Sequence, residues 1–260
     1  MMVERRWFFA RRRQLNLTKG AALIIIDEDR ASDSPFVERV WRSHSEGVQP
    51  FLSIAVNHCE LVVSRLHGTV TVSLRGPETK ATPMGDAPAD GEWFGILLKL
   101  GAFLPQLPPG GLVDGMVDLP TASRDSFWLA GSVWHIPAYD NAETFVERLA
   151  RAGLLVLDPV VEAAVQGQPT DLTQRAVQYR FLRATGMTRH MAQQIDRARY
   201  ATLLLQAGVP IRDTMQQAGY FDQPHLTRSL QRFVGQTPAQ LLHHSRPEQL
   251  SFLYKTSCFP

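Results

Sequence analysis

Cysteine is almost absent from this chain, since its 260 residues include only Cys59 and Cys258. Two cysteines cannot form a disulfide scaffold, and they cannot supply the four thiolates of an all-cysteine zinc site. The adjacent His243 and His244 point in different directions on a regular backbone, and no further ligand lies at a suitable spacing. The sequence therefore predicts no metal site and no cofactor.

Long apolar runs are also missing. The longest, residues 21–26 and 94–98, are much shorter than the roughly 18 apolar residues of a membrane-spanning helix. Arginines interrupt the N-terminal apolar residues before the hydrophobic region of a secretory signal can form. These arginines are Arg5, Arg6, Arg11, Arg12 and Arg13. We therefore expect a cytoplasmic protein with no membrane partner.

Signatures of common enzyme classes are lacking as well. The chain has no glycine-rich phosphate loop of the Walker type, no Gly-x-Ser-x-Gly elbow and no His-Glu-x-x-His pair. A thiol-dependent enzyme is the remaining alternative, with Cys59 as the internal candidate. The neighbouring Glu60 disfavours it, because a nearby negative charge raises the pKa of a thiol. We expect a protein that is not an enzyme.

Positive charge is concentrated in the last third of the chain. Residues 170–246 contain ten arginines, no lysine and four aspartates, a net +6, while the remainder has 17 basic against 21 acidic residues, a net −4. A basic module on an acidic body is typical of polyanion binding, and arginine suits phosphate and guanine edges better than lysine does. On charge alone, an ordinary solvated surface is an equally good interpretation.

The first half of the chain has a β-strand pattern. Apolar residues make up 44% of the chain, which excludes a wholly disordered protein. Segments rich in β-branched residues predict strands, with a hairpin turn at His67–Gly68. These segments are residues 51–57, 60–66, 69–74 and 92–100. Residues 77–90 and 105–111 are predicted loops, and residues 126–133 a short helical insert.

The period of the apolar residues changes to that of helices after Asn141. Residues 142–153 form a predicted helix with Asn141 as its cap and Gly153 at its end. Asp158–Pro159 opens another helix in the favoured order of cap and proline, and this helix continues to about Gln166.

Residues 209–241 contain a helix-turn-helix pattern. A short helix with one apolar face ends at Gly219, and a second helix begins with Asp222 as N-cap and Pro224 in its first turn. The spacing i, i+4, i+7 predicts the buried face of the second helix, formed by Leu226, Leu230 and Phe233. The remaining polar side chains must then face outward or sideways, where a DNA major groove could receive them.

A similar pattern lies upstream, in residues 172–186. Thr173 is the predicted N-cap, and Val177 and Phe181 face inward. Between the two patterns, residues 188–207 predict a helix of about 20 residues that spans roughly 30 Å, close to the ~34 Å repeat of B-DNA. The predicted fold class is α+β: a β-rich N-terminal domain followed by an all-α domain with two helix-turn-helix motifs joined by a long linker helix.

These residues resemble the AraC/XylS family of bacterial transcription regulators. The resemblance covers about residues 158–244 and rests on a signature around the second motif: Gly219–Tyr220, Leu226–Thr227–Arg228, Phe233, Gly235 and Pro238. It implies two helix-turn-helix motifs that read adjacent major-groove segments near promoters. Two features depart from the family pattern. Residues 167–171 interrupt the first motif, which predicts a truncated or bent motif, and Pro224 replaces a usually polar residue.

The resemblance assigns DNA contacts by position. Base reading falls to Gln223, His225 and Arg228 in the second motif and to Arg175, Gln178 and Tyr179 in the first. Phosphate contacts fall to Thr173, Thr227, Gln231 and Arg232. For His225, a helix-surface histidine without a base contact is an equally good interpretation.

The implied partners are double-stranded promoter DNA and RNA polymerase. Residues 1–140 would sense a small-molecule effector, form a homodimer, or do both, with residues 1–30 as a basic tail or a DNA-contacting arm. Residues 141–157 would connect this domain to the DNA-binding domain, residues 158–246, and residues 247–260 would form a tail. The alternative is a ligand-sensing or protein-docking module whose helix-turn-helix no longer reads DNA.

Overall fold

The computed structural model describes residues 24–47, 49–243, 245 and 249–251. The basic stretch that precedes residue 24 lies outside these residues. Fourteen strands and seven α-helices are present in the described part of the chain. The strands are β1 (Ile24–Ala31), β2 (Val37–Ser45), β3 (Gln49–Ser53), β4 (Glu60–Leu66), β5 (Thr69–Arg75), β6 (Thr82–Ala87), β7 (Glu92–Leu98), β8 (Ala102–Phe103), β9 (Met116–Leu119), β10 (Thr121–Ser123), β11 (Ser126–Leu129), β12 (Ser132–His135), β13 (Val156–Leu157) and β14 (Gln249–Leu250).

Six strands form the main sheet in the order β1-β2-β7-β4-β5-β9, with antiparallel pairing throughout. The hairpin of β4 and β5 turns at His67–Gly68, whose φ angles of 49° and 79° fit a two-residue hairpin turn. This turn and both strands were predicted from the sequence. The inner face of the sheet packs on the first helix, α1 (Ala142–Arg151), and on a buried aromatic group that includes Phe127, Trp134 and Phe145.

Three segments of this region differ from the sequence prediction. The strand predicted over residues 51–57 continues only to Ser53, where β3 ends. The loop expected over residues 77–90 contains β6, which pairs with β3. The helical insert expected over residues 126–133 is wrong, because β11 and β12 form a hairpin there. Its turn residues, Ala130 and Gly131, both have left-handed φ angles, 50° and 75°. Alanine rarely adopts this conformation, so the turn gave no sequence signal.

The helices are α1 (Ala142–Arg151), α2 (Pro159–Gln166), α3 (Gln174–Thr185), α4 (Arg189–Gln206), α5 (Ile211–Gln217), α6 (Gln223–Phe233) and α7 (Pro238–Leu242). Side-chain caps explain where most of them begin. Asp158, Thr173 and Asp222 accept backbone N–H bonds at the starts of α2, α3 and α6, as the sequence predicts. Asn141 does not cap α1, because its Oδ1 accepts the N–H of Ala138 instead.

The helical region packs around α4, which contacts α5, α6 and α7. The core of this region also includes Ile54, Ala55 and Phe103 from the β-rich region, so the two regions share one apolar interior. Near the C-terminus, β14 pairs in parallel with β3. The architecture confirms the predicted fold class of a β-rich region followed by a helical region.

Candidate nucleic-acid interface

Helices α5 and α6 form a pair joined by residues 218–222, and α6 presents a polar outer face. Leu226 and Leu230 are fully buried and Phe233 nearly so, because they occupy one side of the helix. Gln223, Pro224, Thr227 and Arg228 line a shallow open depression on the other side. The side chains of Gln231 and Arg232 are exposed one turn further along.

Tyr220 positions the beginning of α6. Its hydroxyl lies 2.8 Å from Oγ of Ser229, and burial raises the pKa of Tyr220. The ring of His225 contacts the ring of Tyr220 edge to face, with 5.0 Å between the centroids. His225 is therefore half-buried against protein, in contrast to the exposed Arg228.

A large aromatic side chain that the sequence analysis did not single out lies in the turn before α6. Phe221 is 92% exposed and directly precedes the N-cap Asp222. The signal available in the sequence was an aromatic residue placed between a helix-ending glycine and a helix cap. Its exposed ring extends the outer surface of α6 toward the turn.

Helices α2 and α3 form a second pair, joined by the seven residues 167–173. Helix α2 has eight residues, and the connection between α2 and α3 contains residues 167–171, where the sequence departs from the family pattern. The side chains of Arg175, Gln178 and Tyr179 are exposed on α3, with Tyr179 at 65%. Thr173 uses its hydroxyl oxygen to cap α3 by accepting the N–H of Ala176 at 3.3 Å.

Most arginines of the β-rich region pair with a carboxylate, whereas most of the described arginines of the helical region do not. Six arginines in residues 24–157 each lie within 4.0 Å of a carboxylate: Arg30, Arg39, Arg42, Arg65, Arg75 and Arg151. Six exposed arginines in the helical region have no carboxylate within that distance among the described residues: Arg175, Arg183, Arg189, Arg212, Arg228 and Arg232. Exposed guanidinium groups without a carboxylate partner are available to bind the phosphates of a polyanion.

The +6 charge of the helical region is not all on its surface. Arg199 is only 2% exposed, and its Nη1 donates to the backbone oxygen of Ala55 at 2.9 Å. Asp196 is equally buried and accepts a 3.0 Å hydrogen bond from Nδ2 of Asn57. These two charged side chains stabilise the contact with the β-rich region. The sequence did not predict that they are buried there.

The side chains of His58 and Cys59 are buried in the β-rich region. Desolvation raises the pKa of Cys59 to about 12, so the thiol is protonated near neutral pH. Burial lowers the pKa of His58, whose Nδ1 lies 2.7 Å from the backbone oxygen of Leu98. The described residues hold no group of three or more His, Cys, Asp or Glu side chains placed to bind a metal. Nor does any helix in the described ranges combine the length and apolarity needed to cross a bilayer.

Comparison with known proteins supports the helical region as a DNA-binding module. A family model described as a helix-turn-helix domain matches residues 168–244. No curated protein and no solved structure matches the chain. The matched residues contain α3 to α7, including the exposed face of α6. The C-terminal region thus matches a helix-turn-helix domain, which supports a DNA-binding regulator of transcription, and the family resemblance is confined to this region.

Proposed function

We propose that this protein is a sequence-specific regulator that inserts α3 and α6 into adjacent major-groove segments of promoter DNA. The observation that carries the proposal is the outer face of α6. There, Gln223 and Arg228 expose an amide and a guanidinium, and the half-buried Thr227 adds a hydroxyl, beside a buried apolar face. Such side chains match the hydrogen-bonding edges of bases and phosphates in the groove.

Three side chains on each reading helix are assigned to base edges. On α6 they are Gln223, His225 and Arg228, and on α3 they are Arg175, Gln178 and Tyr179. Arginine can donate two hydrogen bonds to guanine, and glutamine can pair with adenine. The half-burial of His225 against Tyr220 limits it to a contact at the groove edge.

Phosphate contacts are assigned to Thr173, Thr227, Gln231 and Arg232. Arg232 is exposed, its guanidinium carbon lies 5.1 Å from the ring centroid of Phe233, and its Nη2 lies 4.0 Å from Sδ of Met191. Because Thr173 already accepts a hydrogen bond as the cap of α3, its hydroxyl would donate its proton to a phosphate. These contacts fix the register of the protein on DNA and carry no sequence information.

The linker helix supports the use of both reading helices on one face of the duplex. Helix α4 contains 18 residues, which corresponds to a length of about 27 Å. This is of the same order as the ~34 Å between successive major-groove faces. Helices α3 and α6 lie on either side of α4 in the chain, so one chain would contact two neighbouring groove segments.

The β-rich region would regulate this binding by sensing a small-molecule effector, by forming a homodimer, or both, and the DNA-bound protein would contact RNA polymerase. These roles rest on the family resemblance of the C-terminal region. Promoter DNA of a bacterium lies in the cytoplasm, which is where we place the activity.

Selection of bound fragments from the source genome by the purified full chain tests the proposal. We expect enrichment of one motif with two parts, and footprints that cover both parts. Arg228→Ala should lose the preference at one base pair of that motif, whereas Arg124→Ala, at an exposed arginine of the β-rich region, should retain the full preference. A chain that enriches no sequence would favour the alternative, a docking module that no longer reads DNA.

A further inference from the structure

The β-rich region contacts the C-terminal end of α6 through its backbone. The last carbonyl groups of a helix have no partner within the helix. Here the N–H of Ala55 donates to the oxygen of Phe233 and the N–H of Ala81 donates to the oxygen of Arg232, both at 2.8 Å. The β-rich region thus completes the hydrogen bonding of α6.

The same end of α6 is in close steric contact with the β-rich region. Gly235 follows α6 with a left-handed φ of 78°. A Cβ atom at this residue would lie 2.5 Å from Cδ2 of Leu52 and 3.2 Å from Cβ of Ala81. No side chain larger than hydrogen fits there without displacing these residues.

Helix α3 also contacts the β-rich region at its C-terminal end. Gly186 terminates α3 with a φ of 72°, and a Cβ atom there would lie 2.9 Å from the backbone of Pro109. Between the two reading helices, Asn57 and Ala55 bind Asp196 and Arg199 of α4. One face of the β-rich region therefore contacts α3, α4 and α6 together.

The side chains assigned to base edges lie away from these contacts. In both reading helices, the residues assigned to bases begin in the first turn, whereas the contacts with the β-rich region are made at the last turn or just beyond it. The β-rich region can consequently hold both helices without covering the polar face of α6.

We propose that residues 52–57, together with Ala81 and Pro109, are a positioning element that fixes α3 and α6 relative to each other, so that the chain discriminates the spacing between the two parts of its DNA site. This element is called the brace below. The inference rests on the proposed function, because spacing matters only when both helices read DNA. It assigns to the β-rich region a role in DNA specificity that requires no effector.

A series of DNA sites with altered spacing tests the brace in the full chain. Adding or removing one base pair between the two parts rotates one relative to the other by about 35°. The wild type should bind these sites at least about tenfold more weakly than the selected site. In Gly235→Ala, the added Cβ displaces the brace, and the discrimination should fall below about threefold.

The control is Gly208→Ala, in the turn between α4 and α5. Gly208 has a similar left-handed φ of 83°, but no atom lies within 4 Å of its would-be Cβ. This variant carries the same kind of backbone strain without touching the brace or a residue assigned to DNA, and it should keep the wild-type discrimination. If Gly235→Ala discriminates spacing as strongly as Gly208→Ala does, the brace does not position the helices.

Amide hydrogen exchange of the wild type provides a measurement that depends on no variant and no DNA. The N–H groups of Ala55 and Ala81 lie outside strands, and we expect them to exchange at least about a hundredfold more slowly than the exposed amide of Gly110. If the amides of Ala55 and Ala81 exchange as fast as that of Gly110, the inference about the brace is wrong but the proposed function is unaffected. A chain that selects DNA but tolerates every spacing would lead to the same conclusion, whereas a chain that selects no DNA would overturn the proposed function as well.

Discussion

Arg180 forms a two-point ion pair with Asp158, and this pair joins the reading helix α3 to the start of α2. Its Nε and Nη2 lie 3.0 and 2.7 Å from the two carboxylate oxygens. Oδ1 of Asp158 also accepts the N–H of Val160 at 3.0 Å as the cap of α2. One buried carboxylate thus fixes where α2 begins and how it packs on α3.

Substitution of Asp158 separates these two roles. Asp158→Asn keeps a capping oxygen but removes the charge, and we expect a loss of about 1 kcal/mol in the free energy of unfolding. Asp158→Ala removes the cap as well and should cost about 1 kcal/mol more. Urea unfolding of both variants measures the difference, and equal losses would show that the cap contributes nothing.

Arg228→Ala should weaken binding to the selected DNA site by about 1–3 kcal/mol and relax the preference at one base pair. The reason is that the exposed guanidinium of Arg228 would pair with a single guanine edge. Binding curves on the selected site, on its single-base variants and on random DNA provide the measurement. An equal loss on random DNA would contradict the base-reading role and favour a phosphate contact.

Arg232→Ala should weaken binding to all DNA sequences alike. A phosphate contact releases a bound cation from DNA, so the slope of log K against log salt should fall by about one unit. Affinities measured over a range of salt concentrations give this slope. The phosphate assignment fails if the variant keeps the wild-type slope, and Arg124→Ala serves as the control for the loss of one positive charge.

Glu143 should make part of the stability dependent on acidic pH. Hydrogen bonding by the guanidinium of Arg30, with a further 2.9 Å bond from Oγ of Ser32, lowers the pKa of Glu143 to about 2. A carboxyl whose folded pKa is lowered stabilises the protein above its unfolded pKa of about 4.3, and this contribution disappears as the pH falls toward the folded value.

Glu143→Gln should therefore reduce the loss of stability between about pH 5 and pH 2. At neutral pH it should cost only about 1 kcal/mol, because Arg30 is about one-third exposed and solvent screens the pair. Thermal unfolding over this pH range provides the measurement. The control is Glu147→Gln, whose partner Arg151 is largely exposed, and an identical pH dependence in the two variants would contradict the prediction.

The amino-acid sequence by itself determined the elements whose signals are local. Asp222, Pro224 and the apolar spacing from Leu226 to Phe233 were enough to define α6 and its buried face, because caps and helical periodicity act within a few residues. The β4–β5 hairpin was predicted for the same reason, since its turn consists of two adjacent residues. The outer face of α6 followed from these elements.

The tertiary structure decided the features that depend on residues far apart in the chain. The pairing of β6 with β3 and the burial of Asp196 and Arg199 against Asn57 and Ala55 have no local pattern. From the sequence alone, a charged side chain is expected at the surface. Only the tertiary structure shows the hydrogen-bonding partner that allows it to be buried. The physical reason is that hydrogen bonds within a helix or a tight turn are specified by neighbours, whereas contacts between regions depend on how the whole chain packs.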